Sequence, residues 1–93
     1  MRSLRTAYVR SRPVREEWVE DVLFLIDQRE QAIHALEPIG AGIWSMLAEP
    51  ASIAETKKVL CQAFPRISPR RIERDVKRIF AEFEESGLIR NAR

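Results

Sequence analysis

Apolar residues in the N-terminal part of the chain are spaced as in β-strands. Trp18–Asp27 carries a run of Val, Leu, Phe and Ile, which predicts a strand covered at least in part on both faces. A short polar turn separates it from a second extended run at Gln31–Leu36, and the two runs together predict a hairpin. Ala7–Arg10 predicts a further, shorter strand, and Ser11–Glu17 predicts the loop that follows it.

After the hairpin the spacing changes to that of helices. Pro38 stands in the first turn of one helix, where its missing N–H costs nothing. Gly40 and Gly42 would weaken that helix in isolation, and they indicate that another backbone packs closely against it. Ser52 and Glu55 have the spacing of a capping box, so a second helix is expected to begin there.

The third helix is the longest and has the clearest pattern. Ser68 and Pro69 supply an N-cap and a first-turn proline, and Gly87 is the expected C-cap, so a helix is predicted over Pro69–Ser86. Its apolar residues recur at helical spacing and form one stripe: Ile72, Val76, Ile79, Phe80 and Phe83. Such a stripe predicts a helix that packs on a core and turns its other side to solvent.

Strands that precede helices predict an α+β domain with the helices against one face of an antiparallel sheet. The expected architecture is a three-stranded antiparallel sheet followed by three helices, and the last two helices give it the outline of a winged helix-turn-helix. We expect a single domain over residues 1–93, with residues 1–6 as a flexible arm.

Composition and candidate chemistry exclude more than they suggest. The chain is 45% hydrophobic and 32% charged, with a formal net charge of +2, and no apolar run reaches the roughly 18 residues of a membrane span. Cys61 is the single cysteine, which favours a reduced thiol and the cytoplasm. His34 is the single histidine and lacks partners at metal-ligand spacing. With no Gly-rich phosphate loop and no Ser-His-acid set, we expect no catalytic residue, no cofactor and no bound metal.

The predicted fold and the charge pattern leave two functions open, DNA binding and dimerisation. Basic residues cluster on the third predicted helix, namely Arg70, Arg71, Arg74, Lys77 and Arg78. In a winged-helix outline such a cluster is typical of a DNA-binding protein, although acidic residues share the helix and argue against it: Glu73, Asp75, Glu82, Glu84 and Glu85. An exposed strand edge also allows a structural module that dimerises.

An ordered series of motifs runs from the hairpin to the end of the third helix: Ala35-Leu36-Glu37-Pro38, Gly40-Ala41-Gly42-Ile43-Trp44, Ser52-Ile53-Ala54-Glu55, Arg74-Asp75-Val76 and Ser86-Gly87-Leu88-Ile89. The series resembles the PqqD family of recognition elements, which bind the leaders of ribosomally made, post-translationally modified peptides. PqqD proper shows Cys-Asp-Gly where this chain has Ala48-Glu49-Pro50. Because of this departure, the chain is more similar to the stand-alone recognition proteins of lasso-peptide clusters than to the PQQ type.

The resemblance implies that a leader peptide adds a strand beside Gln31–Leu36, in a groove against the last helix. The implied partners are this leader and a separate maturation enzyme, either a leader peptidase or a radical SAM enzyme. We expect no membrane or nucleic acid partner, and a monomer or weak dimer. Val76 and Ile79 are expected to line a pocket, and the charged residues to set register and partner choice. The implied peptide-binding residues are Gln31, Ala32, Ile33, His34, Ala35, Leu36, Arg71, Asp75, Val76, Arg78, Ile79 and Glu82.

Overall fold

The computed structural model describes residues 3–93. The strands in this part of the chain are β1 (Ala7–Arg10), β2 (Arg15–Val19), β3 (Val22–Asp27), β4 (Ala32–Leu36), β5 (Ala51–Ser52) and β6 (Ile89–Asn91). The helices are α1 (Pro38–Met46), α2 (Ile53–Ala63) and α3 (Pro69–Glu85). Four strands come before the first helix and all strand pairs are antiparallel, so the predicted α+β class is confirmed, although β5 and β6 lie among and after the helices.

The sheet that carries the hairpin has the order β2-β3-β4, with antiparallel pairing throughout. Leu23, Leu25 and Asp27 of β3 are buried, while the residues between them are half-buried. This alternation arises because successive side chains of a strand point to opposite faces. The strand order places β3 at the centre of the sheet and makes β2 and β4 its two edges.

The single strand predicted over Trp18–Asp27 is wrong, because the chain turns inside it. Val19 pairs directly with Val22, so Glu20 and Asp21 form a two-residue turn, and Glu20 has a positive φ of 56°. A left-handed conformation costs a residue other than glycine about 1–2 kcal/mol, and here the pairing of the flanking strands imposes it. β2 therefore occupies part of the segment that was predicted to be a loop.

The sequence predicted that β1 belongs to the same sheet as the hairpin, and this is wrong. β1 belongs to a second, smaller sheet. It lies between β5 and β6 and pairs antiparallel with both. Because β5 directly precedes α2 and β6 follows α3, this sheet ties the start of the chain to both helices. Of the predicted flexible arm, Met1 and Arg2 lie outside the described residues, and the Leu4 carbonyl accepts a hydrogen bond from the Ala54 N–H at 3.1 Å.

The helices begin and end where local signals predict. The Ser52 hydroxyl accepts a hydrogen bond from the Glu55 N–H at 3.1 Å, and the Glu55 carboxylate accepts one from the Ser52 N–H at 2.9 Å, which confirms the capping box. Hydrogen bonding from Ser52 lowers the pKa of Glu55. Ser68 accepts from the Arg71 N–H at the start of α3, and Gly87 follows its end with a positive φ of 72°. No helix within residues 3–93 is long and apolar enough to cross a bilayer.

Aromatic side chains join the first strand and the first helix to α3. Trp44 of α1 is 1% exposed, and its ring meets Phe83 of α3 edge-on, with 5.7 Å between centroids. Tyr8 of β1 meets Phe80 of α3 in the same manner at 5.8 Å. Edge-to-face pairs contribute about 0.5–1.5 kcal/mol beyond the area they bury. The core therefore fixes one side of α3 and leaves the other free.

The two glycines of α1 have different surroundings. A Cβ built on Gly42 would lie 3.0 Å from Leu60 Cδ2, so the close approach of α2 accounts for this glycine. A Cβ built on Gly40 would meet Leu36 at 3.6 Å and Ile79 at 3.9 Å, which are ordinary contact distances. The nearest atoms are side-chain atoms in both cases, so the prediction that another backbone packs closely here is wrong.

Candidate functional site

β4 has one free edge. Within residues 3–93 it pairs only with β3, so the main-chain groups on its other side have no strand partner. Ile33 and Ala35 are exposed, whereas Leu36 at the end of the strand is buried. An unpaired edge of this kind is a template on which another extended chain can add a strand.

A cleft of about 740 Å³ extends from the end of β4 along α3. The end of β4 and the first turn of α1 form one wall, and the loop between α2 and α3 closes one end. α3 forms the opposite wall. The lining residues are Ala35, Leu36, Glu37, Pro38, Ile39, Gly40, Phe64, Ile67, Arg71, Arg74, Asp75, Arg78, Ile79, Glu82 and Phe83. The cleft therefore joins a free strand edge to the face of a helix.

Helical spacing gives the α3 wall both apolar and charged groups. Ile72, Val76 and Phe80 are fully buried on the core side of the helix. Ile79 stands beside this stripe and is half-buried, so it packs against the core and also lines the cleft. Asp75 precedes Ile79 by four positions and shares its side of the helix. An apolar contact and a charge are thus presented side by side.

Ion pairs follow the cleft along α3. The Asp75 carboxylate lies between Arg71 Nε at 3.7 Å and Arg78 Nη2 at 3.8 Å. Arg78 also donates to the Glu82 carboxylate at 3.0 Å. Because the arginine and glutamate side chains are more than half exposed, each pair contributes only about 0–1 kcal/mol. An incoming peptide can therefore replace these pairs with its own at small cost.

Most of the α3 residues implied by the resemblance, and the end of β4, lie together on the cleft. They are Ala35, Leu36, Arg71, Asp75, Arg78, Ile79 and Glu82. Ala32, Ile33 and His34 also belong to β4 but lie outside the cleft, nearer the hairpin turn. Gln31 belongs to the turn, with a positive φ of 52°, so the strand begins one residue later than predicted. That any of them contacts a peptide stays a prediction.

Val76 is the exception on α3. None of its surface is exposed and it belongs to the core, so the expectation that it lines a pocket is wrong. Its spacing fits the apolar stripe equally well as that of Ile79. The packing of α1 and α2 on α3 decides which flank of the stripe borders the cleft, and the sequence of α3 does not contain that information.

Several cleft residues lie outside the two elements that the resemblance indicated. The start of α1 contributes Pro38, Ile39 and Gly40, and the segment between α2 and α3 contributes Phe64 and Ile67. Apolar residues in a short connection between helices are a signal that the connection packs against something. Phe64 and Ile67 could have been found from this signal.

A buried ion pair holds the hairpin against the end of α3. Asp27, at the end of β3, is 2% exposed, and its carboxylate accepts a hydrogen bond from Arg12. Arg12 also donates to the Gly87 carbonyl at 2.8 Å. The second carboxylate oxygen of Asp27 accepts from the Glu30 N–H of the hairpin turn at 3.3 Å. One carboxylate thus fixes the turn that leads into β4 and links it to the opposite wall of the cleft.

A second polar cluster joins β1, β2 and α1. Arg10 donates to the Trp44 carbonyl at 2.6 and 3.0 Å, and its guanidinium lies 4.2 Å from the centroid of the Trp44 ring. The Glu16 carboxylate accepts from the Trp44 indole N–H at 3.0 Å and pairs with Arg10 at 3.4 Å. Burial lowers the pKa of Arg10, and the Glu16 carboxylate opposes this. The cluster orients α1, whose first turn forms part of the cleft.

The fold and the cleft define a small α+β domain with a free strand edge beside its longest helix. The family model described as Coenzyme PQQ synthesis protein D (PqqD) matches residues 22–89. The chain therefore belongs to the PqqD family, and the resemblance inferred from the sequence motifs is confirmed.

Comparison with solved structures agrees with this fold. The chain is similar to the structure described as TbiB1 in complex with the TbiA(beta) leader peptide, with a TM-score of 0.72 and 21% sequence identity. The match covers 87% of this chain and 93% of that chain. At this level of identity the likeness shows that the fold is shared. No curated protein matches the sequence.

Proposed function

We propose that this protein binds the leader of a ribosomally made precursor peptide and delivers it to a separate maturation enzyme, without catalysing a reaction itself. The leader adds a strand to the free edge of β4 and lies in the cleft against α3. The observation that carries the proposal is the free β4 edge beside a cleft with apolar and charged walls. Membership of the PqqD family and the shared fold of TbiB1, a protein solved with a leader peptide, support it.

Main-chain pairing alone is too weak to hold a peptide on β4. Each hydrogen bond contributes a net ~0.5–1.5 kcal/mol, while ordering each peptide residue costs ~1–2 kcal/mol. Micromolar affinity requires about −8 kcal/mol. Apolar side chains of the peptide therefore supply most of the affinity, at ~1.5–3 kcal/mol for each one buried. The half-buried residues of the cleft offer them a surface: Ile39, Phe64, Ile67 and Ile79.

The pathway we favour is that of lasso peptides. Ala48-Glu49-Pro50 replaces the Cys-Asp-Gly of PqqD proper, which supports a leader peptidase as the partner enzyme ahead of a radical SAM enzyme. The lone, unpaired thiol of Cys61 supports a cytoplasmic setting.

DNA binding is the weaker candidate, because acidic side chains are interspersed with the basic ones along α3. Glu73, Asp75 and Glu82 offset part of the positive charge that Lys77, Arg71 and Arg78 carry. Phosphate recognition depends on a surface of net positive charge that releases counterions, so a helix of mixed charge is poorly suited to that task.

An N-methyl scan of the leader tests strand addition directly. The probe is the N-terminal region of a precursor peptide encoded beside the gene for this protein, labelled with fluorescein and titrated by anisotropy. N-methylation of one residue at a time removes one N–H donor. Because alternate N–H groups of an added strand face β4, we expect losses of about tenfold or more at every second residue and little change between. Losses without this alternation, or tighter binding of duplex DNA with a steep salt dependence, would contradict the proposal.

Amide hydrogen exchange then identifies the edge that the peptide uses. β2 is the other edge of the same sheet and serves as a matched control. We expect bound peptide to slow exchange at the outward N–H groups of β4 and to leave those of β2 unchanged. Protection of β2 alone would place the peptide at the β2 edge of the sheet and would contradict the proposed binding at β4.

A further inference from the structure

Gly40 lies on the floor of the cleft, between Leu36 of β4 and Ile79 of α3. It is buried within α1, and its φ is not in the left-handed region, so its backbone does not require a glycine. A side-chain methyl group would also fit, since it would approach Leu36 and Ile79 no closer than 3.6 Å. Neither backbone conformation nor packing of the free protein accounts for this glycine.

Comparison with Gly42 sharpens the point. Two positions later in the same helix, a Cβ would come within 3.0 Å of Leu60 Cδ2, so a larger residue there requires the Leu60 side chain of α2 to shift. Gly42 does not line the cleft. Alanine stabilises a helix relative to glycine, so the fold by itself would favour alanine at Gly40. Because glycine has no side chain, the cleft is deeper at residue 40 than it would be with alanine there.

We infer that Gly40 sets the depth of an apolar pocket between Leu36 and Ile79, and that it thereby selects a leader peptide with a large apolar side chain at the position above it. This inference rests on the proposed function. The side chains nearest to a Cβ on Gly40 are both apolar, Leu36 and Ile79, and Ile39 and Phe83 line the same cleft. A charged peptide side chain would be desolvated there without a partner, so the pocket suits a leucine, isoleucine, methionine or phenylalanine.

The size of the effect follows from one methyl group. A methyl group at residue 40 fills about the volume of one methylene, and a peptide anchor that cannot seat fully loses contact on more than one of its own carbons. Each methylene is worth about fourfold in affinity. Gly40→Ala is therefore expected to weaken a peptide with a large anchor about tenfold, while leaving the protein at least as stable.

The test uses the full chain and peptides selected on it from a random display library. Selected peptides are synthesised with fluorescein, and alanine substitution along each identifies the apolar anchor that contributes most. Each peptide is also made with that anchor shortened to valine. We expect Gly40→Ala to lose about tenfold for the large anchor and to bind the shortened anchor as well as, or better than, the wild-type protein does. Gly42→Ala is the control, because Gly42 does not line the cleft, and it is expected to leave both affinities unchanged.

The outcomes separate this inference from the function on which it rests. If the wild-type protein selects no peptide, the proposed function fails. If it binds peptides and Gly40→Ala changes neither affinity nor anchor preference, the pocket is not where we place it. An equal loss for large and shortened anchors would also overturn the inference, because it would show that the substitution acts through the helix and not through pocket depth.

Discussion

Replacing Ile79 by alanine tests whether this residue of α3 contributes both to the stability of the fold and to peptide binding. The change removes three side-chain carbons, which together represent about 2.4 kcal/mol of burial. Ile79 is half-buried in the free protein, so about half of that figure already stabilises the fold and about half is left for a peptide. We therefore expect Ile79→Ala to lose about 1.2 kcal/mol of unfolding free energy and a similar amount of binding free energy, which is close to a tenfold rise in Kd.

Val76 supplies the matched control on the same helix. It is fully buried and does not line the cleft, so Val76→Ala should destabilise the fold by about 2 kcal/mol, including the cavity it leaves, without changing Kd. Urea unfolding measures the first quantity, and anisotropy titration with a labelled leader, under conditions where both variants are folded, measures the second. If Val76→Ala weakens the peptide as much as Ile79→Ala does, the assignment of Ile79 to the cleft is refuted.

Four further predictions concern polar groups. Asp27→Ala removes the partner of Arg12 and should lower the free energy of unfolding by about 2–3 kcal/mol, measured in urea. Ser52→Ala should cost about 1 kcal/mol, because the first turn of α2 loses its cap. Since the pKa of Glu55 is lowered on folding, the stability that its carboxylate adds is present above the ordinary value and is lost as pH falls through the folded one. Glu55→Gln should therefore lose less stability than wild type between about pH 5 and about pH 3. Asp75→Asn removes a negative charge between Arg71 and Arg78, although Arg78 keeps its pair with Glu82, and should shift peptide preference about threefold toward acidic sequences at low salt.

The predictions for Asp27→Ala, Glu55→Gln and Asp75→Asn each have a result that contradicts them. An Asp27→Ala protein as stable as wild type would mean that the ion pair with Arg12 is not formed in solution. An unchanged acid limb in Glu55→Gln would assign the pH dependence to other carboxylates. If the preference of Asp75→Asn does not depend on salt, the ion pairs of α3 do not act on the peptide by electrostatics.

The sequence predicted the helix caps at the correct residues. The capping box of Ser52 and Glu55 and the glycine at residue 87 lie where expected, because each involves groups within a few positions of one another. The turn at Glu20 could not be found in this way. No glycine or asparagine marks it, and the left-handed conformation is imposed by strand pairing on either side.

The cleft depends on contacts that are distant along the chain, and the sequence predicted it only in part. Ile79 and Val76 have the same apolar character and the same helical stripe, yet one borders the cleft and the other is enclosed. The difference comes from how α1 and α2 pack on α3, which lies outside the sequence of α3 itself. In the sequence, Gly40 indicated close packing of another backbone, whereas the nearest atoms to a Cβ built on it lie in the side chains of Leu36 and Ile79, at ordinary contact distances.

The two edges of the hairpin sheet differ in a way that bears on how the protein behaves at high concentration. β2 presents Arg15, Glu16 and Glu17 along its length, and charged side chains on an edge strand discourage folded copies from pairing with one another. β4, over Ala32–Leu36, contains no aspartate, glutamate, lysine or arginine. Association between copies would therefore begin at β4, the same edge to which we propose that a peptide binds. A bound leader would then also keep the protein monodisperse, and the free protein in excess of its peptide would be the form most inclined to aggregate.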